Sequence, residues 1–261
     1  MSQQSQAPHV DRLQTGQGDR PLLALHASGT GAHSLLRLAG KLEKRFSLTL
    51  VNLHGYGASR CAGGIEAPLE QHLDVAASAL AGFEGRPVHL FGHSMGGVVT
   101  LQLALAHPNA IASLLLAEPV AFGALDRQLD ADVIELDHRS VQGFSSGDAS
   151  ALATFIEFWN GTPWPSLPGS VQKALSGIEA QIQREALCVS ADNTPADRYA
   201  EIQCPVSLMV GSRTNPVARR ICERLAQHLP HWRVSTIDDA GHMLAIEQPD
   251  QIAARILERS G

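Results

Sequence analysis

The chain has 261 residues, of which 44% are hydrophobic and 18% are charged. These proportions are typical of one globular domain, or of a domain core with one insertion. The formal net charge is −6, and the sequence contains no basic block. Nucleic acids and anionic membrane surfaces require clustered Lys and Arg, so the charge argues against both as partners. We therefore expect a small-molecule substrate.

Several features of the sequence predict a cytoplasmic protein. Residues 1–21 are polar and lack the apolar segment of a signal peptide, and no apolar run is long enough to cross a bilayer. We expect roughly the first eight residues to be loosely held. The four cysteines lie far apart without a C-x-x-C pair, which indicates reduced thiols; they are Cys61, Cys188, Cys204 and Cys222.

Short apolar runs alternate with amphipathic segments along the chain. Runs of this kind are typical of parallel strands that are buried on both faces, and they span residues 21–27, 47–53, 87–91, 112–117, 206–210 and 233–237. Residues 10–13 offer one further strand. Apolar positions recur at three- and four-residue steps in residues 69–83, 217–225 and 252–256, which predicts helices there. The alternation predicts an α/β fold with a doubly wound, mostly parallel sheet.

One long segment, residues 120–203, has no clear strand. We predict that it is a helical cap inserted over the sheet edge where ligands bind, with residues 1–119 and 204–261 forming the core. The segment carries four aromatic residues that can line a substrate pocket or form the cap's own core, and the sequence favours neither role. They are Phe155, Phe158, Trp159 and Trp164.

A nucleophile motif follows the third of the predicted parallel strands. Gly92–Gly96 reads GHSMG and fits G-x-S-x-G, with an apolar strand before it and a helical segment, residues 97–107, after it. Glycines on both sides of Ser94 allow strand and helix to approach closely in a tight turn. The serine hydroxyl then lies at the carboxyl end of the sheet and the amino end of a helix, which favours developing negative charge. We predict that Ser94 is a nucleophile.

This motif and three others resemble those of the α/β-hydrolases. Residues 26–29 (HASG) are similar to the oxyanion loop of that family, residues 52–59 (NLHGYGAS) to its D-x-x-G-x-G-x-S turn, and residues 240–242 (AGH) to its histidine loop. The resemblance covers nearly the whole chain except the cap. It implies the α/β-hydrolase fold and His242 as the catalytic base, because the family places the histidine after the last strand. Neighbouring histidines, including His26 and His93, are expected to be structural.

The acid of the triad is where the sequence departs from the family pattern. The family usually supplies an Asp after the next-to-last strand, but residues 211–216 (GSRTNP) contain no carboxylate. Glu118 directly follows an apolar strand at the active edge, where a carboxylate needs a partner, so it is the favoured acid. Asp126 is a weaker alternative, and Asn215 is a third that would orient His242 as a neutral amide.

The resemblance also implies an oxyanion hole formed by the backbone N–H groups of Met95 and Ser28. His26 and Ala27, in the same loop, are expected to contact substrate, although Ala27 replaces the family's usual glycine. No metal-ligand spacing such as H-E-x-x-H is present, and the glycine-rich turns do not fit a dinucleotide motif. We therefore expect no metal and no cofactor.

Together these residues predict a serine hydrolase that cleaves a small carboxylic ester through a Ser-His-Glu triad and an acyl-enzyme. Two alternatives stay open, because a fold does not determine a substrate. The same triad serves carbon–carbon bond hydrolysis and lactone hydrolysis. A ligand-binding protein on a hydrolase scaffold is the other alternative, supported only by the missing acid after the next-to-last strand.

Overall fold

A computed structural model describes residues 7–258 of the chain. The expectation of a loosely held amino terminus falls mainly on residues outside this range. The described residues form one seven-stranded sheet in the order β1-β3-β2-β4-β5-β6-β7. Its strands are β1 (Arg12–Thr15), β2 (Arg20–Leu25), β3 (Phe46–Val51), β4 (Val88–His93), β5 (Ile111–Ala117), β6 (Val206–Gly211) and β7 (Arg233–Ile237).

The sheet is parallel except at one edge, where β1 runs antiparallel to β3. β1 is the extra strand expected near residues 10–13, shifted by two residues. β2 and β4 are neighbours in the sheet, although β3 lies between them in the chain. The strand order reverses at this point, and open α/β sheets bind ligands in the crevice that such a reversal leaves at the carboxyl ends of the strands.

Helices cover both faces of the sheet, as the α/β pattern predicts. The α-helices are α1 (Leu36–Leu42), α2 (Pro68–Ala81), α3 (Met95–Ala106), α4 (Ala131–Ser146), α5 (Ala151–Asn160), α6 (Gly169–Ser176), α7 (Glu179–Ser190), α8 (Pro216–His228), α9 (Leu244–Glu247) and α10 (Pro249–Leu257). Successive residues of a strand point to opposite faces. Leu23 and Leu25 of β2 accordingly pack with α2, α3 and α8, whereas Leu22 and Ala24 pack with α1 and α10. The doubly wound fold is therefore confirmed.

The segment between β5 and β6 is helical, with α4 to α7 and no strand among its described residues. Its helices share an apolar cluster that includes Phe144, Ile156 and Ile182. The fully buried Asp130, which precedes α4, accepts hydrogen bonds of 2.7 Å from Arg220 and Arg224 of α8. Burial acts to raise the pKa of Asp130, but the two arginines outweigh it and hold that pKa at about 2. This ion pair fastens the helical segment to the core.

All four cysteines are described, and all are free thiols. Burial raises the pKa of Cys204 to about 11 and that of the fully buried Cys222 well above its ordinary value, so neither is an activated nucleophile. Within residues 7–258, no helix is both long enough and apolar enough to span a membrane.

Candidate active site

Ser94 occupies the tight turn between β4 and α3. Its backbone has φ 55° and ψ −118°, a strained conformation for a residue with a side chain. A Cβ on Gly96 would lie 2.5 Å from the Leu25 carbonyl oxygen, and one on Gly97 would lie 2.8 Å from the Cβ of Pro119. The flanking glycines are required because the turn packs directly against neighbouring backbone.

The imidazole of His242 lies between Ser94 and an acid. His242 follows β7 and precedes α9, and its Nε2 is 2.9 Å from the Ser94 Oγ. Its Nδ1 is 2.7 Å from Oε2 of Glu118. A carboxylate accepts hydrogen bonds only, so Nδ1 carries the proton and Nε2 faces the serine hydroxyl as an acceptor. This arrangement can move a proton from Ser94 to His242.

Glu118 is fully buried directly after β5, and its backbone has φ 43°. Its Oε1 accepts a 2.7 Å hydrogen bond from the N–H of Gly211, and its Oε2 accepts one of 2.7 Å from the Thr214 hydroxyl. Three donors, counting His242, are thus directed at the two carboxylate oxygens. Such a set satisfies both oxygens of an acid that burial has removed from water.

The two alternative partners of His242 lie elsewhere. Asn215 caps α8, where its Oδ1 accepts a 2.8 Å hydrogen bond from the N–H of Ala218. Asp126 is in a turn before α4, and its Oδ1 accepts hydrogen bonds from the N–H groups of Gln128 and Leu129. Neither side chain hydrogen-bonds His242, so in the structure only Glu118 takes that place.

The loop after β2 lines the same pocket as Ser94. Ser28 lines the same pocket as Ser94 and Met95. Met95 is the first residue of α3, where backbone N–H groups have no partner within the helix. The next N–H of the loop, that of Gly29, donates a 2.7 Å hydrogen bond to the Tyr56 hydroxyl. The resulting geometry is suited to binding an oxyanion between the loop and the start of α3.

A buried hydrogen-bond chain supports this loop from the cap. The Tyr56 hydroxyl donates a 2.8 Å hydrogen bond to Oε2 of Glu185, a fully buried residue of α7. Gln181 donates to the other oxygen of Glu185, which also lies 3.2 Å from the His72 Nε2. Burial and the nearby carboxylate raise the pKa of Tyr56 well above its ordinary value, so its hydroxyl stays protonated.

Two histidines near the site support the backbone, as expected. The Nε2 of His26 accepts a 3.1 Å hydrogen bond from the N–H of Leu53, and the Nδ1 of His26 donates a 2.8 Å bond to the Ala27 carbonyl. Burial lowers the pKa of His26 to about 4, so it is neutral. His93 Nε2 lies 2.8 Å from the carbonyl oxygen of His242 and steadies the catalytic loop, and burial lowers the pKa of His93 to about 3.

Ser94 and His242 open into an apolar pocket beneath the cap helices, with a volume of about 60 Å³ available to the centre of a water molecule. Of the residues expected to contact substrate, Ala27, Phe155 and Trp159 line it. His26, Phe158 and Trp164 are not in its wall, which corrects the expectation for these three. The Phe158 ring packs on Trp159, and Trp164 packs on the cap cluster. The Trp159 ring lies 4.8 Å from that of His242.

Sequence reasoning missed several residues of the site. Thr214 occupies the loop where the family carries its acid, and it supports Glu118 instead. Tyr56 lies within a quoted family motif, but nothing local marks it as the partner of Glu185. Asp137 and Ser190 of the cap also line the pocket. Among residues 7–258, no group of three or more His, Cys, Asp or Glu side chains is placed to hold a metal ion.

Comparison with known proteins agrees with this fold. Residues 22–255 match the model of the alpha/beta hydrolase family, and the chain therefore belongs to that family. It is 36% identical over 253 residues to a pimeloyl-[acyl-carrier protein] methyl ester esterase of Aeromonas hydrophila, covering 90% of this chain and 93% of that protein. It is 22% identical over 245 residues to lipase 1 of Psychrobacter immobilis, covering 89% and 74%. An esterase from Thermogutta terrifontis superposes with a TM-score of 0.72 at 22% identity, over 96% of this chain and 92% of that one.

Proposed function

We propose that this protein is a serine hydrolase that cleaves a small carboxylic ester through Ser94, His242 and Glu118. The observation that carries the proposal is the buried chain of hydrogen bonds, 2.9 Å from Ser94 to His242 and 2.7 Å from His242 to Glu118, at the base of an apolar pocket. The relatives named as esterases and as a lipase support an ester as the substrate.

In the first step, Ser94 Oγ attacks the ester carbonyl while His242 Nε2 takes its proton. Glu118 stabilises the resulting imidazolium without accepting the proton itself. The carbonyl oxygen becomes an oxyanion, and the N–H groups of Met95 and Ser28 bind it. When the tetrahedral intermediate collapses, the bond to the alcohol oxygen breaks and His242 protonates the leaving alcohol.

The second step regenerates the serine. His242 removes a proton from a water molecule, whose oxygen attacks the acyl-enzyme carbonyl. The same two N–H groups bind the second oxyanion. The Ser94 Oγ–carbonyl bond then breaks, His242 returns the proton to Ser94, and the carboxylic acid leaves.

The pocket volume supports a small substrate. The space available to the centre of a water molecule is only about 60 Å³. The wall is mostly apolar, which suits a short carbon chain beside the ester. We therefore expect short-chain esters to react faster than long-chain ones.

Labelling with a fluorophosphonate probe, read by intact mass, tests the proposal. We expect the wild type to gain one probe adduct and Ser94→Ala to gain none. Ser166→Ala is the matched control, because Ser166 is exposed in the cap and outside the pocket. It should label like the wild type. Labelling of Ser94→Ala, or failure to label the wild type, would contradict an activated Ser94.

A substrate panel then separates ester hydrolysis from its alternatives. Short aliphatic esters, lactones and 1,3-diketones are compared by kcat/KM, with Ser94→Ala as the blank. Turnover of esters well above the other two classes supports the proposal. Turnover of diketones alone would favour carbon–carbon bond hydrolysis, and ligand binding without turnover of any class would favour the binding-protein alternative.

A further inference from the structure

The cap contributes an acid to the catalytic pocket that none of the steps above uses. Asp137 of α4 is only 2% exposed and lines the pocket that contains Ser94 and His242. Its Oδ2 accepts a 2.7 Å hydrogen bond from the Ser190 hydroxyl. Its Oδ1 is also buried and has no hydrogen-bond partner within the part of the chain that the structure describes.

An acceptor in this state is costly for the folded protein. A buried polar group without a partner destabilises the folded state, and does so more strongly when it is charged. Burial raises the pKa of Asp137 to about 6, despite the hydrogen bond from Ser190. The carboxyl group therefore has fewer partners than its burial demands. A strained acid of this kind in a ligand pocket is a candidate for contact with the ligand.

The position of Asp137 shows which part of a substrate it would meet. Asp137 and Ser190 also line a second, neighbouring pocket in which neither Ser94 nor His242 takes part. They therefore lie on the cap side of the catalytic pocket. A group that reaches Asp137 belongs to the substrate away from the reacting carbonyl.

The surroundings select the chemistry of that group. Asp137 offers one free acceptor, and much of the remaining wall is apolar, including Ile156, Leu175 and Val189. A hydroxyl has a single O–H to donate, whereas an ammonium has three N–H groups. An ammonium would leave donors unpaired against apolar side chains, at a high cost in desolvation. The site therefore suits a neutral hydroxyl.

We propose that Asp137 is a specificity-determining residue whose Oδ1 accepts a hydrogen bond from a substrate hydroxyl remote from the scissile carbonyl. The preferred substrates are then short esters that carry a hydroxyl group. This inference rests on the proposed ester hydrolysis, and it adds the polar group by which the pocket tells one short ester from another.

The test compares short esters of one chain length that end in hydroxyl, methyl, methoxy or ammonium. We expect the wild type to show kcat/KM at least about tenfold higher for the hydroxyl ester than for the methyl ester, the effect of one hydrogen bond to a charged acceptor. In Asp137→Leu this ratio falls to about one or below. Glu135→Leu is the matched control, because Glu135 is an exposed acid of the same helix, and it should keep the wild-type ratio.

Several results would overturn the proposal. They are a wild-type ratio near one, a ratio that survives Asp137→Leu, and a preference for the ammonium or methoxy ester. If Asp137→Leu fails to fold, Asp137→Asn replaces it and should lower the ratio, because a neutral amide oxygen is a weaker acceptor than a carboxylate.

Failure of ester hydrolysis itself is visible separately, as absent turnover of all four esters. The subsite is then tested by calorimetric binding of the hydroxyl- and methyl-terminated carboxylic acids to the wild type and Asp137→Leu. Tighter binding of the hydroxy acid by the wild type alone supports the subsite, and equal binding overturns it.

Discussion

Replacing Glu118 by Gln tests the central feature of the site, a carboxylate that receives three hydrogen bonds. Its two oxygens accept from Gly211, Thr214 and His242. A glutamine has one oxygen, and its NH₂ group accepts nothing. No orientation of the amide can therefore satisfy all three donors, although the shape of the side chain hardly changes.

The two orientations fail in different ways. If the amide oxygen faces Gly211, the NH₂ group faces His242 Nδ1 and makes that nitrogen an acceptor. The proton then moves to Nε2, which can no longer take the proton of Ser94. If the amide is flipped, its NH₂ group meets the N–H of Gly211 and leaves that donor unpaired, which costs about 1–3 kcal/mol of stability.

We expect the first orientation to dominate and kcat to fall by about 10⁴, as in serine proteases whose triad acid becomes an amide. A loss of this size equals about 5 kcal/mol of transition-state stabilisation. The assay is kcat with a chromogenic short-chain ester, with thermal melting as the control for folding. Thr214→Val is the matched variant. It removes one donor but keeps the carboxylate, so its kcat/KM should fall by only about tenfold or less.

If Glu118→Gln kept more than about a hundredth of the wild-type kcat, Glu118 would not be the group that sets the tautomer of His242, because the expected loss is about 10⁴. A larger loss in Thr214→Val than in Glu118→Gln would also refute the reasoning, since the hydroxyl acts only through the carboxylate.

Four further predictions concern stability. Burial raises the pKa of the Asp137 carboxyl from 3.8 to about 6 in the folded protein. Its favourable contribution to the free energy of unfolding is therefore fully present below pH 3.8 and is lost as the pH rises through 6. Asp137→Asn should therefore raise the free energy of unfolding at pH 8 by up to about 3 kcal/mol and hardly at all near pH 4, and equal gains at both would contradict this. Burial holds His26 and His93 neutral, with pKa values of about 4 and about 3. Their contribution to the free energy of unfolding is therefore fully present above pH 6.5, the ordinary pKa of histidine in the unfolded chain. Below pH 6.5 the pair should lower the unfolding free energy by up to about 2.7 kcal/mol per pH unit, opposed in part by Asp137, and denaturant titrations at pH 7 and pH 5 check the direction. Gly96→Ala should cost more than about 4 kcal/mol or prevent folding, because its Cβ would meet backbone at 2.5 Å. Gly40→Ala, a helix position with no atom within 4 Å of the added Cβ, should gain about 0.5–1 kcal/mol in the same thermal melts.

Strands β2 to β6 were predictable because each is largely buried on both faces and reads as an apolar run. The predicted bounds of the strands differ from the observed ones at the strand ends. β4 extends to His93, two residues past the apolar run, because Gly92 and His93 pair with Leu116 and Ala117 of β5. β1 was the weakest strand in the sequence, since it lies at an edge and its residues are largely exposed.

The candidate site contains residues that short motifs predict and residues that only contacts between distant parts of the sequence reveal. Ser94 and His242 lie in short motifs, and Glu118 follows an apolar strand with no competing carboxylate after β6. Thr214 contacts Glu118 across 96 positions of sequence, and Tyr56 contacts Glu185 across 129. No periodicity or spacing encodes contacts of this kind. The first depends on the pairing of β5 with β6, and the second depends on how α7 packs on the core.

The cap aromatics show how orientation limits such predictions. Phe155 and Trp159 are four residues apart and share a face of α5, so they can point into the same space. Both line the pocket, whereas Phe158 does not. The period of the helix separates the two faces, but only the packing of α5 over the sheet decides which of them meets the substrate.

The position of Glu118 in the chain matters for chimaeras in which the segment from α4 to α7 is exchanged between related proteins. The proposed nucleophile and acid both lie on the amino-terminal side of the helical segment, between β4 and the residue after β5, and the proposed base lies after β7. Neither α4 to α7 nor their connections carry a residue of the proposed triad. The end of β6 and the loop after it supply only the supporting donors Gly211 and Thr214. The helical segment contributes part of the pocket wall, and also Glu185, whose hydrogen bond with Tyr56 any replacement would have to keep. A chimaera that replaced it would change the pocket wall, with Asp137 in it, and leave the reactive serine, its base and its acid in their own framework.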